Sequence, residues 1–135
     1  LYTLLPMFLL TCIVAGTMLR RRIAFYKINQ VHPQKTATSI EMSATIKDTR
    51  ASDNFRNLFE IPVLFYVTVL VVFALGLTSV AHLVLAWGYV ASRYVQSYIH
   101  CPSNIVMRRF YAFLFSCTCL MCMWLMLTYQ LFFVA

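Results

Sequence analysis

The chain has 135 residues, of which 61% are apolar, 16% aromatic and only 11% charged. Its 11 Lys and Arg outnumber 4 Asp and Glu, giving a formal net charge of +7 with a mean hydropathy of +0.76. A water-soluble domain of this size cannot hide so much apolar surface, so composition points to an integral membrane protein. A nucleic-acid reader is excluded as well, because no soluble segment is long enough to present a groove or a recognition helix.

Apolar runs extend over Leu1 to Leu19, Ile61 to Leu77, Val80 to Ile99 and Ile105 to Val134. Each approaches the roughly 20 residues that a helix needs to cross a bilayer core. The first run lacks a basic region ahead of it and a small-residue cleavage pattern behind it, so it reads as a helix and not as a signal peptide. The expectation is one all-α integral membrane domain over 1–135, an up-down four-helix transmembrane bundle with helices at about 1–25, 52–77, 80–100 and 105–134.

Charge placement orients that bundle. Arg20, Arg21, Arg22, Lys27, Lys35, Lys47, Arg50 and Arg56 border or fill the first connection, and Arg93, Arg108 and Arg109 flank the third. These are all the Lys and Arg of the chain. The bias predicts both polar connections in the cytoplasm, and both termini and the "GLTS" turn, Gly76 to Ser79, on the non-cytoplasmic side of a multi-pass protein. In a bacterium the membrane would be the inner one. Glu41, Asp48, Asp53 and Glu60 share the cationic side, leaving a net positive face suited to anionic headgroups of the lipid bilayer.

Cysteine and histidine point to packing. Cys119, Cys122, Met123 and Met126 recur at i, i+3, i+4, i+7, one sulfur-bearing helical stripe beside Cys117. A soft-metal site is conceivable there, but no His joins it and such residues pack well between membrane helices, so no metal is expected. Cys12 and Cys101 suggest no disulfide. The chain has no metalloprotease His pair, phosphate-binding Gly loop or nucleophile elbow. His82 and His100 read as packing or interfacial residues.

The segment "RASDNFRNLFEIP", Arg50 to Pro62, carries polar residues to the threshold of an apolar run. On a continuous helix Arg50, Asn54, Asn57, Ile61 and Leu64 fall within about 80°. Asp53, Arg56 and Glu60 cluster beside them, where Arg56 could pair with either acid. Arg50, Asn54 and Asn57 then remain for a neighbour or ligand, and Pro62 marks a kink or an early-turn position. The third connection, "RYVQSYIHCPSNIVMRR", supplies a matching set at the same depth. Tyr94 and Tyr98 share one face with Arg93 and Gln96 beside them. A polar cleft between helices, open toward the cytoplasm, or interhelical bonding with interfacial aromatic anchoring, would accommodate these residues.

In its order of features the chain resembles the MAPEG family, the membrane-associated proteins in eicosanoid and glutathione metabolism, and most of all its small bacterial members. The likeness covers the whole chain through "RRRIAFYK", "RASDNFRNLFEIPVLFY", "RYVQSYIH" and "NIVMRRFYAF". It implies a homotrimer with glutathione bound between subunits near the cytoplasm. The family's second helix carries Arg, three residues, Asn, two residues, Glu. Arg50 and Asn54 keep the first spacing and Asn57 and Glu60 the second, one turn later, so Asn57 stands where the family has Glu.

By the same resemblance, Arg21 or Arg22 would meet a ligand carboxylate, and Arg50, Asn54, Asn57, Glu60, Gln96 and Tyr98 would bind glutathione. Arg108 or Arg109 would stabilise its thiolate, Arg108 foremost, and Tyr94 or Tyr98 would donate to the sulfur or orient the peptide. Arg109, about 100° around the helix, would face headgroups. Two functions follow as alternatives: a glutathione-dependent transferase or peroxidase acting on lipophilic electrophiles, or a non-catalytic lipid-binding or accessory subunit of a larger membrane assembly.

Overall fold

A computed structural model describes residues 1–101 and 105–133. The predicted end of the last helix at 134 lies outside them. The described residues are helical apart from their connections: α1 (Leu4–Asn29), a 3-10 turn (Pro33–Thr36), α2 (Ser39–Thr45), α3 (Arg50–Asn57), α4 (Ile61–Ala74), α5 (Val80–His100) and α6 (Val106–Phe133). Four hydrophobic segments, α1, α3 with α4, α5 and α6, make a membrane bundle. Three of them are long and apolar enough to cross a bilayer by length and composition. The remaining one, α5, has 21 residues, or about 31 Å of rise, which is also sufficient length. Its hydropathy is lowered by His82, Ser92, Arg93, Gln96, Ser97 and His100, all of which are buried inside the protein. Its polar stripe is therefore turned away from lipid.

Local chemistry sets the boundaries. α1 continues past the expected end near residue 25 and stops where Gln30 turns left-handed at φ 52°. α2 opens on a reciprocal capping box: the Thr38 hydroxyl accepts from the Glu41 amide, and the Glu41 carboxylate accepts from the Thr38 amide. α4 ends at Ala74, and the chain turns beyond its cap Leu75 at Gly76, whose φ of 68° favours a residue without Cβ. Ser79 then caps α5 through the amide of His82.

The second hydrophobic segment departs most from expectation. A continuous helix is replaced by two, interrupted at Leu58 to Glu60. Pro62 sits in the first turn of α4, where its missing N–H is tolerated, but it offers no donor to the preceding carbonyls. The break removes the helical register between Arg56 and Glu60. No ion pair joins Arg56 to Asp53 or Glu60 among the described residues, and all three side chains are exposed on the protomer. The projected single face is lost too: Ile61 is half-buried and Leu64 exposed.

Packing unites the segments. Met7, Leu10 and Val14 of α1 meet Phe65 and Val69 of α4, Ala86, Tyr89 and Val90 of α5, and Cys119, Leu120 and Met123 of α6 in one core. Phe65 and Tyr89 stack with ring centroids 4.2 Å apart and planes 6° from parallel. Within the sulfur stripe Cys119 and Met123 are buried, and Cys122 and Met126 are half-buried.

Candidate functional site

The predicted cytoplasmic ends of the helices carry three polar layers. In the outermost, Arg21 from α1 and Arg50 from α3 converge on the carboxylate of Asp48. Arg50 donates Nε–H to Oδ1 at 2.7 Å and Nη2–H to Oδ2 at 3.0 Å, a two-point grip, and Arg21 Nη1 lies 3.4 Å from Oδ2. Hydrogen bonding from Arg50, with the charge of Arg21 nearby, holds the Asp48 carboxyl below its ordinary value. Arg21 also donates Nη2–H to the Cys101 carbonyl at 2.9 Å, tying α1 to the end of α5. These side chains and Arg22 line a cleft of about 930 Å³ between α1, the first connection and α3. Arg22 also borders a second cleft of about 850 Å³ and points Nη2 at the Met42 sulfur, 3.1 Å away.

The second layer centres on Asn54. Asn54 is fully buried, its amide donating to Cys101 Sγ at 3.4 Å and its oxygen accepting from Ser97 Oγ at 3.3 Å. Both of its polar ends are thus engaged within the protomer.

The third layer forms around Arg93, a guanidinium 1% exposed on a membrane helix. It donates Nη1–H to Gln96 Oε1 at 2.6 Å and Nη2–H to the Asn57 main-chain oxygen at 2.9 Å, and lies 6.0 Å from the centroid of the Phe113 ring. Beside it Asn57, Gln96, Val106, Arg109, Phe110 and Phe113 line a cleft of about 220 Å³. Polar donors come here from three segments, and the apolar wall comes from α6. This mix suits a ligand with a polar head and an apolar reaction partner.

Arg109 is half-buried, with Nη1 2.8 Å from His100 Nε2, whereas Arg108 is exposed on the protomer. Arg109, the less favoured of the two candidates and expected to face headgroups, is thus the one of the pair turned to the polar layer, because α6 packs that face on α5. Tyr94 does not open onto the cleft: its hydroxyl donates to the Pro6 carbonyl of α1 at 2.7 Å. Tyr98 is 80% exposed. The structure therefore gathers Arg21, Arg22 and Arg50 at one cleft and Asn57 and Gln96 at another. It buries Asn54 and leaves Glu60, Tyr98 and Arg108 on the protomer surface.

Sequence reasoning passed over Arg93, Asp48 and Ser97 as site residues, and preferred Arg108 to Arg109. Arg93 had a readable signal, since it is the lone Lys or Arg within the run Val80 to Ile99. Asp48 lies two residues from Arg50, a spacing that in an extended connection carries no pairing rule, and its role follows from where the chain turns.

The sequence model of the MAPEG family matches residues 1–129. No curated protein and no solved structure matches the chain. The family match spans nearly the whole bundle, from α1 through most of α6 and across all three polar layers, and the chain belongs to the MAPEG family of integral membrane proteins.

Proposed function

We propose that the protein binds glutathione at the cytoplasmic end of its bundle and uses it against lipophilic electrophiles or lipid hydroperoxides that arrive through the bilayer. The observation that carries this reading is the convergence of Asn57, Gln96 and Arg109 on one cleft with the buried Arg93 behind it. Glutathione has two carboxylates and a thiol, and guanidinium groups suit both: they take carboxylates in bidentate fashion and favour thiolate over thiol. Of the two arginines that the family resemblance offers for the thiolate, Arg109, at the cleft, takes the role in place of the preferred Arg108. The Arg21–Arg50 pair lines a separate cleft and already grips the Asp48 carboxylate, so in this proposal it takes a ligand carboxylate only by exchanging it for Asp48. Thiolate is the nucleophile, and the low dielectric at the bilayer edge strengthens its pairing with Arg109.

The working unit in this proposal is a homotrimer with non-cytoplasmic termini. Tyr98, Glu60 and Arg108 are exposed on the protomer within or beside hydrophobic segments, where a neighbouring subunit would remove polar side chains from lipid. Cross-linking in native membranes tests that assembly, and a monomer would contradict it. A second reading, a lipid-binding or accessory subunit without catalysis, draws on one observation: the Tyr94 hydroxyl is engaged with Pro6 and cannot serve a bound sulfur without leaving it. Turnover of glutathione with a hydrophobic halide or hydroperoxide by the purified protein separates the two. Product formed in proportion to protein supports the enzyme, and saturable binding without product supports the second reading.

A further inference from the structure

A buried arginine in a membrane bundle without an acidic partner requires an account. Arg93 makes no ion pair among the described residues, and its Nε–H has no hydrogen-bond partner there. Its two bonded nitrogens reach groups with distinct needs. In an unbroken helix the Asn57 oxygen would accept from the residue 61 amide, but the chain is interrupted between α3 and α4. Arg93 supplies the missing donor from α5, placing a cation at the negative end of α3. Its other nitrogen decides the Gln96 amide. Arginine only donates, so the Gln96 oxygen must face Arg93, and the Gln96 NH₂ group is the end left for the cleft it lines.

On the glutathione-binding reading above, we infer that Arg93 is the positioning residue of the cleft formed by Asn57, Gln96 and Arg109. It holds the second hydrophobic segment broken by capping α3, and it turns Gln96 so that the cleft presents donors and selects a ligand with acceptor groups. Arg93 does not touch the ligand. It acts through Asn57, whose position it fixes, and through Gln96, whose polarity it sets.

The test uses the full chain in detergent or nanodiscs, with glutathione as the probe. Arg93→Gln should accelerate amide hydrogen exchange across residues 58–64 by about tenfold while residues 114–127 keep wild-type protection. Arg93→Lys should recover part of that protection, since an ammonium can cap Asn57 without the planar fork that also orients Gln96. Gln96→Glu separates positioning from packing. A carboxylate gives Arg93 a counter-charge, so this variant should melt no lower than wild type, yet it should bind glutathione about tenfold more weakly because an acceptor now faces the cleft. Unchanged exchange at 58–64 in Arg93→Gln overturns the capping role. Wild-type glutathione affinity in Gln96→Glu, or a lower melting point, overturns the orienting role. Should Arg93→Gln fail to fold, exchange in Arg93→Lys and melting of Gln96→Glu decide instead. If wild-type protein binds no glutathione, the functional reading falls, while exchange and melting still decide what Arg93 does.

Discussion

Arg109 donates from Nη1 to Nε2 of the buried His100 across 2.8 Å, joining the start of α6 to the end of α5. Because arginine cannot accept, this contact makes His100 Nε2 the acceptor and leaves its hydrogen on Nδ1. The neighbouring Arg108 makes no such contact and is exposed. Arg109→Ala should therefore lower turnover about ten- to hundredfold, with glutathione affinity less affected, as expected for a group that acts on developing thiolate charge. Arg108→Ala should change turnover less than twofold. Steady-state kinetics of the two variants check this ordering, and the reverse ordering returns the role to Arg108.

Asp48 gives the first connection its pH dependence. Its carboxyl is held below the ordinary value by Arg50 and then Arg21, so the anchoring is present above the unfolded value of about 4 and is lost as pH falls through the folded value. Hydrogen exchange across residues 45–52 should be constant from neutral pH to about 5 after correction for intrinsic rates, and should rise below about 4. Asp48→Asn should loosen the segment already at neutral pH, seen as faster tryptic cleavage after Lys47. Equal cleavage of variant and wild type would show that the Arg21–Asp48–Arg50 cluster does not anchor it.

The Tyr89 ring is fully buried against Phe65, and its hydroxyl has no hydrogen-bond partner among the described residues. Removing that hydroxyl takes away an unsatisfied polar atom without touching the stack. Tyr89→Phe should raise stability by up to about 1 kcal/mol, whereas Tyr89→Ala, which empties the stack, should lower it by about 3–5 kcal/mol. Thermal unfolding in one detergent compares them. A lower melting point for Tyr89→Phe would reveal a hydroxyl partner.

Orientation follows from charge and is checked by labelling. A cysteine at Ser39 should react with impermeant reagent from the cytoplasmic side, and one at Ser79, the cap of α5, from the opposite side. Reaction of both from one side would contradict the inside placement of the cationic connections.

Much of the fold was legible in the sequence because apolar length is a local property: the four runs lie on α1, α4, α5 and α6. Pro62 likewise announced a kink or an early-turn position, and it occupies the latter. Rotational facing was less legible. Nothing in "MRR" tells which arginine meets His100, because that depends on how α6 packs against α5. Tyr94 looked like a ligand group by family resemblance, yet its hydroxyl reaches Pro6, a partner that the packing of α1 on α5 provides. The break at Leu58 to Glu60 moved Glu60 out of register with Arg56, and its cap comes from Arg93, 36 residues from Asn57 along the chain.

The central proposal is that the polar end of the bundle binds glutathione as thiolate. Near-ultraviolet difference absorption, recorded while glutathione is titrated into the purified wild-type protein at neutral pH, tests it most directly. The account predicts a thiolate band that saturates at millimolar glutathione, shifts to higher pH in Arg109→Ala, and is abolished by excess of a thioether analogue competing for the same cleft. A wild-type titration with no thiolate band and no saturation would contradict it, and the polar layers would then be read as interhelical bonding alone.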